Sequence, residues 1–372
     1  MSHTGGHFPD EKQTLLLKAA LSERLKAIRY FVEWLEINQL DKLDPSSSGF
    51  LSDFMDSIDS GSQRLLPLVI HNLGENTHPY FVFLLGTRKN YWVKNKQITH
   101  KAFGIIKTLE QHGIPAMPMK GLDLANRFYE NIAHRPMNDG DLLIPYQYRE
   151  KVIELTKTGV FGNKTRAFDS KPNNLNTALR LDFEGKLNID LHWSIFREYA
   201  FQAHASDFIW QKATKTIIAG VTNYQMTATH ALFLNIASGR SFDSVPPFRW
   251  VADAKKIMDK STIDWSELLE LCKTFPFRPF LKKAFTYLAE QHQFDIPLTF
   301  QKELKYLETN ELEEKYYHAI SVNSRKYGFA GALWFITNRN IFYHKLFMKD
   351  TGISLTRFIF TWHFTKIKSI IS

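Results

Sequence analysis

Only one cysteine, Cys272, occurs in the 372 residues, so a disulfide within the chain is excluded. The thiol reads as a small buried hydrophobe, and such sparse use fits a reducing compartment. No uninterrupted apolar stretch reaches the roughly 18 residues that a membrane-spanning helix requires. Residues 1–10 are polar and lack the apolar segment of a signal peptide. The expectation is a cytoplasmic protein without stable membrane insertion. Internal repeats and low-complexity tracts are also missing. Acid is the minority charge: 38 Asp and Glu stand against 47 Lys and Arg, a formal net charge of +9. A basic balance favours polyanions. The positive residues are dispersed, however, with modest clusters at 88–90, 94–101 and 273–283, and no continuous basic stripe carries interleaved aromatics. What is present in quantity is apolar: 44% hydrophobic residues and 30 phenylalanines suit large packed cores and exclude a disordered chain.

Apolar periodicity outlines the organisation. Residues 14–39 read as a helix or helix pair, and Asp44-Pro45-Ser46-Ser47-Ser48-Gly49 as a loop. Three helices are expected near 62–73, 78–90 and 93–112, the last capped by Gly113. The texture changes at 114. Residues 114–119 form a short apolar segment that Pro115 and Pro118 restrict to an edge or irregular strand. A helix over 122–129, a strand over 139–144, a helix over 146–158 and a hairpin of 178–183 with 187–195 complete a small α+β unit. From 205 onward the pattern is helical, with Asp264 and Glu267 matching a capping box. The basic, aromatic segment 354–372 reads as a terminal helix packing on the body; a membrane-surface helix is the alternative. The fold class is therefore α+β: an amino-terminal helical region (1–112), a mixed unit (113–204) and a carboxyl-terminal helical domain (205–372).

The chemistry concentrates in the mixed unit. Asp139 and Asp141 open the apolar run Leu142-Leu143-Ile144, after the turn Lys120-Gly121. Strand alternation puts residues 139 and 141 on one face, about 7 Å apart, where they can converge on a hard divalent ion. In Leu187-Asn188-Ile189-Asp190-Leu191-His192-Trp193 the same alternation puts Asn188, Asp190 and His192 on the face opposite Ile189, Leu191 and Trp193. A third carboxylate on a neighbouring strand would complete a site for two ions, the arrangement that phosphoryl and nucleotidyl transfer use.

The run Met119-Lys120-Gly121-Leu122-Asp123-Leu124-Ala125, with Tyr129 and Arg135-Pro136-Met137-Asn138-Asp139-Gly140-Asp141-Leu142-Leu143-Ile144, resembles the bacterial nucleotidyltransferase family described as uncharacterised. That family lies within the DNA polymerase β-like nucleotidyltransferase superfamily. The resemblance extends through Ile189-Asp190-Leu191-His192-Trp193, His230-Ala231-Leu232-Phe233, Arg249-Trp250-Val251-Ala252-Asp253 and Asp264-Trp265. It also takes in Leu65-Leu66-Pro67-Leu68, and so covers about residues 14–300. It implies that 113–204 is a polymerase β-like catalytic core transferring an NMP from an NTP, in the first instance ATP, to an acceptor hydroxyl. Asp139, Asp141 and Asp190 would hold two Mg2+ ions, and Asp190 would take the acceptor's proton. Lys120, the backbone at Gly121 and Arg135 would contact the triphosphate. His192 would line the acceptor side, beside hard oxygen ligands that disfavour it as a metal ligand. His230, Trp250 and Asp253 read mainly as contacts between helices, and Tyr129 as core.

Two departures stand out. Gly140 replaces the apolar residue usual between the aspartates and removes its anchor beneath the strand. Leu122 follows Gly121 where a serine often holds phosphate, leaving that work to Lys120 and a helix amino terminus. They motivate an alternative: a catalytically degenerate nucleotidyltransferase fold serving as a nucleotide- or partner-binding module. A terminal nucleotide-adding enzyme acting on nucleic acid ranks third, on net charge alone. The acceptor (small molecule, protein or RNA) and the oligomeric state are not encoded in any motif.

Overall fold

In the computed structural model, Asp10 opens the first helix. Residues 6–74, 78–162, 177–200, 202–218, 220–323 and 327–360 are described. The Asp10 carboxylate accepts from the Gln13 backbone N–H and the Gln13 side chain accepts from the Asp10 N–H, a reciprocal cap for α1 (Glu11–Leu21). α2 (Arg24–Ile37) completes the expected helix pair. α3 (Phe50–Asp56), which was not anticipated, precedes α4 (Ser60–Leu73), capped by Asp59.

α5 (Phe81–Gln111) is one helix of 31 residues where two were expected. Nothing in Arg88-Lys89-Asn90-Tyr91-Trp92-Val93 breaks a helix, there being no proline or glycine among them. Its second half buries Asn95, Ile98, Ala102, Ile105, Ile106 and Leu109 along one face. Gly113, at φ +69°, then reverses the chain, and the Ile114 N–H returns to the Leu109 carbonyl at 2.9 Å.

The mixed unit contains β1 (Met117–Met119), α6 (Lys120–Arg127), β2 (Gly140–Leu143), α7 (Arg149–Lys157), β3 (Ala178–Asp182) and β4 (Asn188–His192). The strands lie in the order β1-β2-β4-β3, with β2 parallel to β4 and the other neighbours antiparallel. β1 is an edge, as its proline requires. Leu142, Ile189 and Leu191 point at α5 and α7 and form a core with Ile98, Ala102 and Val152. The opposite face carries Asp141, Leu143, Asp190 and His192.

Beyond α8 (Asp207–Gln211) the helical expectation fails at a hairpin, β5 (Thr214–Ile218) and β6 (Val221–Gln225). The β-branched residues Thr214, Thr216, Ile217 and Ile218 favour extended backbone, and Gly220 turns at φ +75°. The Tyr224 N–H donates to the Ala116 carbonyl at 3.0 Å, tying the hairpin to the segment leading into β1. Seven helices follow: α9 (Ala228–Ser238), α10 (Arg249–Lys260), α11 (Trp265–Thr274), α12 (Arg278–His292), α13 (Leu298–Tyr306), α14 (Glu311–Ser321) and α15 (Gly328–Phe347). Asp264 caps α11 as expected, but the Glu267 side chain turns away to His230 and Lys212 rather than completing the box.

Two cores result. One joins α1, α2, α4 and the start of α5 with α9–α14, so the amino- and carboxyl-terminal helices bury their apolar faces together. The other lies between the sheet and the second half of α5. Residues 355–360 are helical, and Phe358 is buried and stacks on Tyr343 at 5.2 Å between ring centroids. The rest of the basic, aromatic segment, 361–372, lies outside the described residues. Among the described residues no helix is long and apolar enough to cross a membrane.

Candidate functional site

Parallel pairing of β2 with β4 sets Asp141 opposite Asp190 and Leu143 opposite His192. Alternation then delivers Asp141, Asp190 and His192 to the same face. One potential ligand atom from each lies within 4.8 Å of the others. Lys120 reaches the group from the start of α6. Its Nζ donates to Asp141 Oδ1 at 2.7 Å and stands 3.2 Å from His192 Nε2. His192 Nε2 is itself 2.7 Å from the same Asp141 oxygen. That nitrogen cannot serve both neighbours at once: protonated it donates to Asp141, unprotonated it accepts from Lys120 or offers its lone pair to a cation. Lys120 holds this position with φ +48°, a left-handed conformation that costs a β-carbon-bearing residue about 1–2 kcal/mol. Strain of this kind collects at functional sites.

The two paired carboxylates are driven apart electrostatically. Burial pushes the Asp141 carboxyl up, but the His192 hydrogen bond and the Lys120 charge outweigh it and hold the group down at about 2. Asp190 has weaker help, from the charges of His192 and Arg180, and it does not prevail. Burial, then the charges of Asp141 and Asp139, push its carboxyl above the ordinary range. Its Oδ1 is buried and has no hydrogen-bond partner among the described residues. Two carboxylates, one of them with an orphaned buried oxygen, and one imidazole fit a divalent cation. An imidazole in the set suits a first-row transition-metal ion better than Mg2+, which prefers oxygen ligands.

Asp139 departs from expectation. It lies in a bend one residue before β2, half-exposed, and is not among the three groups within 4.8 Å. Alternation assumed a strand that already includes residue 139, and the strand begins at Gly140. Asp139 nonetheless stands near enough to raise the Asp190 carboxyl and to act on Arg64. His192, expected to line the site without serving as a ligand, instead falls inside the group. Gly140 is explained by its neighbours. A Cβ there would come within 2.7 Å of Ile189 Cδ1 and 3.1 Å of Ile98 Cγ2, so these side chains fill the space that an apolar residue would have taken. The strand keeps its anchor, supplied from β4 and α5.

Arg135, expected at the triphosphate, is turned the other way. Its Nε and Nη2 each donate to Asp253 on α10 at 2.8 Å, and the Tyr129 hydroxyl adds a bond to Asp253 at 2.6 Å. Asp253 is thus a contact between elements, as anticipated, and so is His230, 3.0 Å from Glu267. The third guanidinium nitrogen, Nη1, lies where a Cβ on Gly121 would approach to 2.7 Å, which is why glycine occupies that position.

Asn95 escaped the sequence reading. Fully buried in α5, it donates to the carbonyls of Ile132 (2.6 Å) and Arg135 (2.9 Å) and accepts from the Met137 N–H (3.0 Å). It therefore fixes the loop that delivers Asp139 and Asp141. Its signal was a polar residue in phase with the apolar stripe Ile98, Ala102 and Leu109. Beyond Lys120, a cavity of about 200 Å³ opens between α6 and α9, lined by Asp123, Leu124, Arg135, Leu234, Asn235 and Ser238 among others. Burial pushes the Asp123 carboxyl up to about 6 although Arg127 bonds both its oxygens.

No curated protein matches the chain. Among solved structures, an antigenic nucleotidyltransferase-like protein from Paracoccidioides brasiliensis is similar at 15% identity, over 58% of this chain and 94% of that one, with a TM-score of 0.32. The profile of a family described as uncharacterised nucleotidyltransferase matches residues 61–292, well over half of the chain and inclusive of α4 through α12. By that match, the chain belongs to this nucleotidyltransferase family.

Proposed function

We propose that the protein is a divalent-metal-dependent nucleotidyltransferase whose catalytic unit is 113–204, flanked by helical regions 1–112 and 205–372. It would transfer an NMP from an NTP, ATP in the first instance, to an acceptor hydroxyl. The observation that carries the reading is the pairing of Asp141 with Asp190 across parallel strands, with Asp190 Oδ1 buried and lacking a partner. Asp141, Asp190 and His192 would hold the ion, with Asp139 at the rim contributing charge. A divalent cation held there would neutralise charge on the transferring phosphoryl group and acidify the attacking hydroxyl. Asp190 takes the acceptor's proton as the new P–O bond forms at the α-phosphorus and pyrophosphate departs. Lys120, released from Asp141, is positioned to bind phosphate oxygens. Gly121 backbone contact with the triphosphate belongs to the same reading; Arg135, committed to Asp253, supports the turn rather than the nucleotide.

The test is label transfer from α-labelled ATP, with Mg2+ or Mn2+, to protein, RNA and small-molecule acceptors. Asp141→Asn should lower transfer by roughly 10²–10³ or more, the scale of losing one preorganised electrostatic element, while circular dichroism stays native. Undiminished transfer in that variant refutes the proposal. One observation favours a second reading, a degenerate fold that binds nucleotide or a partner. Lys120 and His192 already satisfy Asp141 from within. ATP binding that is indifferent to divalent metal, with no transfer to any acceptor, would select that reading.

A further inference from the structure

Next to the carboxylates lies an excess of partly buried positive charge. Arg64 on α4, Arg135 before β2 and Arg249 at the start of α10 act on one another electrostatically, and the single buried carboxylate among them, Asp253, is taken by Arg135. Among the described residues Arg249 hydrogen-bonds only to neutral groups, although the charge of Asp253 also acts on it: Nη1 donates to the Pro136 carbonyl at 2.9 Å and Nη2 to the Arg64 carbonyl. Arg64 Nη2 reaches the same Pro136 oxygen at 3.5 Å, and its Nε is buried with no partner among the described residues. Buried charges are normally paired. Here burial and the neighbouring guanidiniums push Arg249 down to about 9. Both arginines keep partial exposure, and Arg64 feels Asp139 at the mouth of the site.

We propose that Arg64 and Arg249 form a binding site for a phosphoryl group at the Asp139 edge of the active site. Guanidinium forks match phosphate oxygens in geometry and charge, and an incoming dianion would offset the unpaired positive charge. The turn Lys120-Gly121-Leu122 has no side-chain hydroxyl, so a phosphoryl group here would draw its side-chain donors from α4 and α10. That the phosphoryl group is part of a nucleotide rests on the transferase reading; the anion site itself does not.

The experiment titrates inorganic pyrophosphate into the full chain in metal-free buffer by calorimetry. Wild type should bind. Arg64→Gln should weaken binding by about tenfold or more, the loss expected for one charge-assisted hydrogen bond, while Arg64→Lys should retain most of it. If wild type does not bind, or Arg64→Gln binds as tightly, the site is refuted. Should Arg64→Gln fold poorly, thermal shifts of wild type in pyrophosphate and in chloride at equal ionic strength replace it; equal shifts refute the site, and a larger one in pyrophosphate supports it. Asp141→Asn should still bind pyrophosphate, which separates this site from the catalytic proposal. Where transfer is measurable, a raised KM for the NTP in Arg64→Gln assigns the site to the nucleotide, and a raised KM for the acceptor alone assigns it to an acceptor phosphate. An unchanged KM for both refutes its use by either substrate.

Discussion

Two buried ionic clusters in this protein are built on opposite terms. In the helical body, Arg240 meets Glu198 with both Nε and Nη2, donates Nη1 to the Ala237 carbonyl at 2.6 Å, and is joined by the Tyr316 hydroxyl on Glu198 at 3.1 Å. One cation faces one anion, and each is stabilised in its charged form: burial opposes, but the partner's charge holds Glu198 low and Arg240 high. On the sheet, Asp141 is over-supplied with donors while Asp190, in the next strand, keeps an oxygen with none among the described residues. A cluster whose only task is to hold helices together can be completed within the chain. One left incomplete and unevenly charged leaves room for something that is not part of the chain.

The contrast can be broken by substitution. The largest effect should come from Asp190→Asn, which removes the unpartnered carboxylate: Mn2+ binding and nucleotide transfer should both vanish while the thermal midpoint holds or rises. A fall of several degrees would mean that Asp190 is structural after all. Glu198→Ala should behave inversely. It strands Arg240 in the interior, and urea unfolding should show a loss of about 3–5 kcal/mol with Mn2+ affinity unaltered in the folded protein. Gly140→Ala crosses between the two, because its new methyl pushes on Ile189 and Ile98. A cost of about 1–3 kcal/mol should accompany weaker Mn2+ binding, and a cost-free variant would remove the packing account of Gly140.

Acid should give the smallest effect. His134 and His292 have their imidazoles pushed down by burial first, to about 3 and about 4, from the usual 6.5. The unfolded chain therefore takes up protons that the folded one refuses, so their stability contribution is present above pH 6.5 and is lost as pH falls toward 4 and 3. Asp141 adds its own loss lower down, between 3.8 and about 2. The urea midpoint should drop between pH 7 and 5, and drop less in His134→Asn; a wild-type midpoint that holds would contradict this.

Much of this was readable from the chain because it is local. Alternation in 187–193 gave the correct face for Asp190 and His192, and two prolines gave the edge position of β1. The failures have physical reasons. A strand that starts one residue late displaced Asp139 from the ligand group. The length of α5 was hidden because a polar stretch, 88–90, resembles a break without containing a breaker. The hairpin at 214–225 is two short strands whose pairing with the segment before β1 is a long-range event. Arg64 and Arg249 carry no spacing signal, since their partners are backbone carbonyls that any sequence supplies. The union of amino- and carboxyl-terminal helices in one core is likewise invisible to periodicity, which reports that a face is apolar and not what covers it.

The continuity of α5 has a mechanical consequence. A rod of 31 residues, roughly 46 Å long, is seated at one end among the helices and at the other beneath the strands that carry Asp141 and Asp190. Bending such a rod would break several consecutive backbone hydrogen bonds, so the two bodies it joins have no pivot along it. Substrate entry then calls for sliding between packed surfaces, or for adjustment of the loop that Asn95 fastens, in place of a clamshell swing.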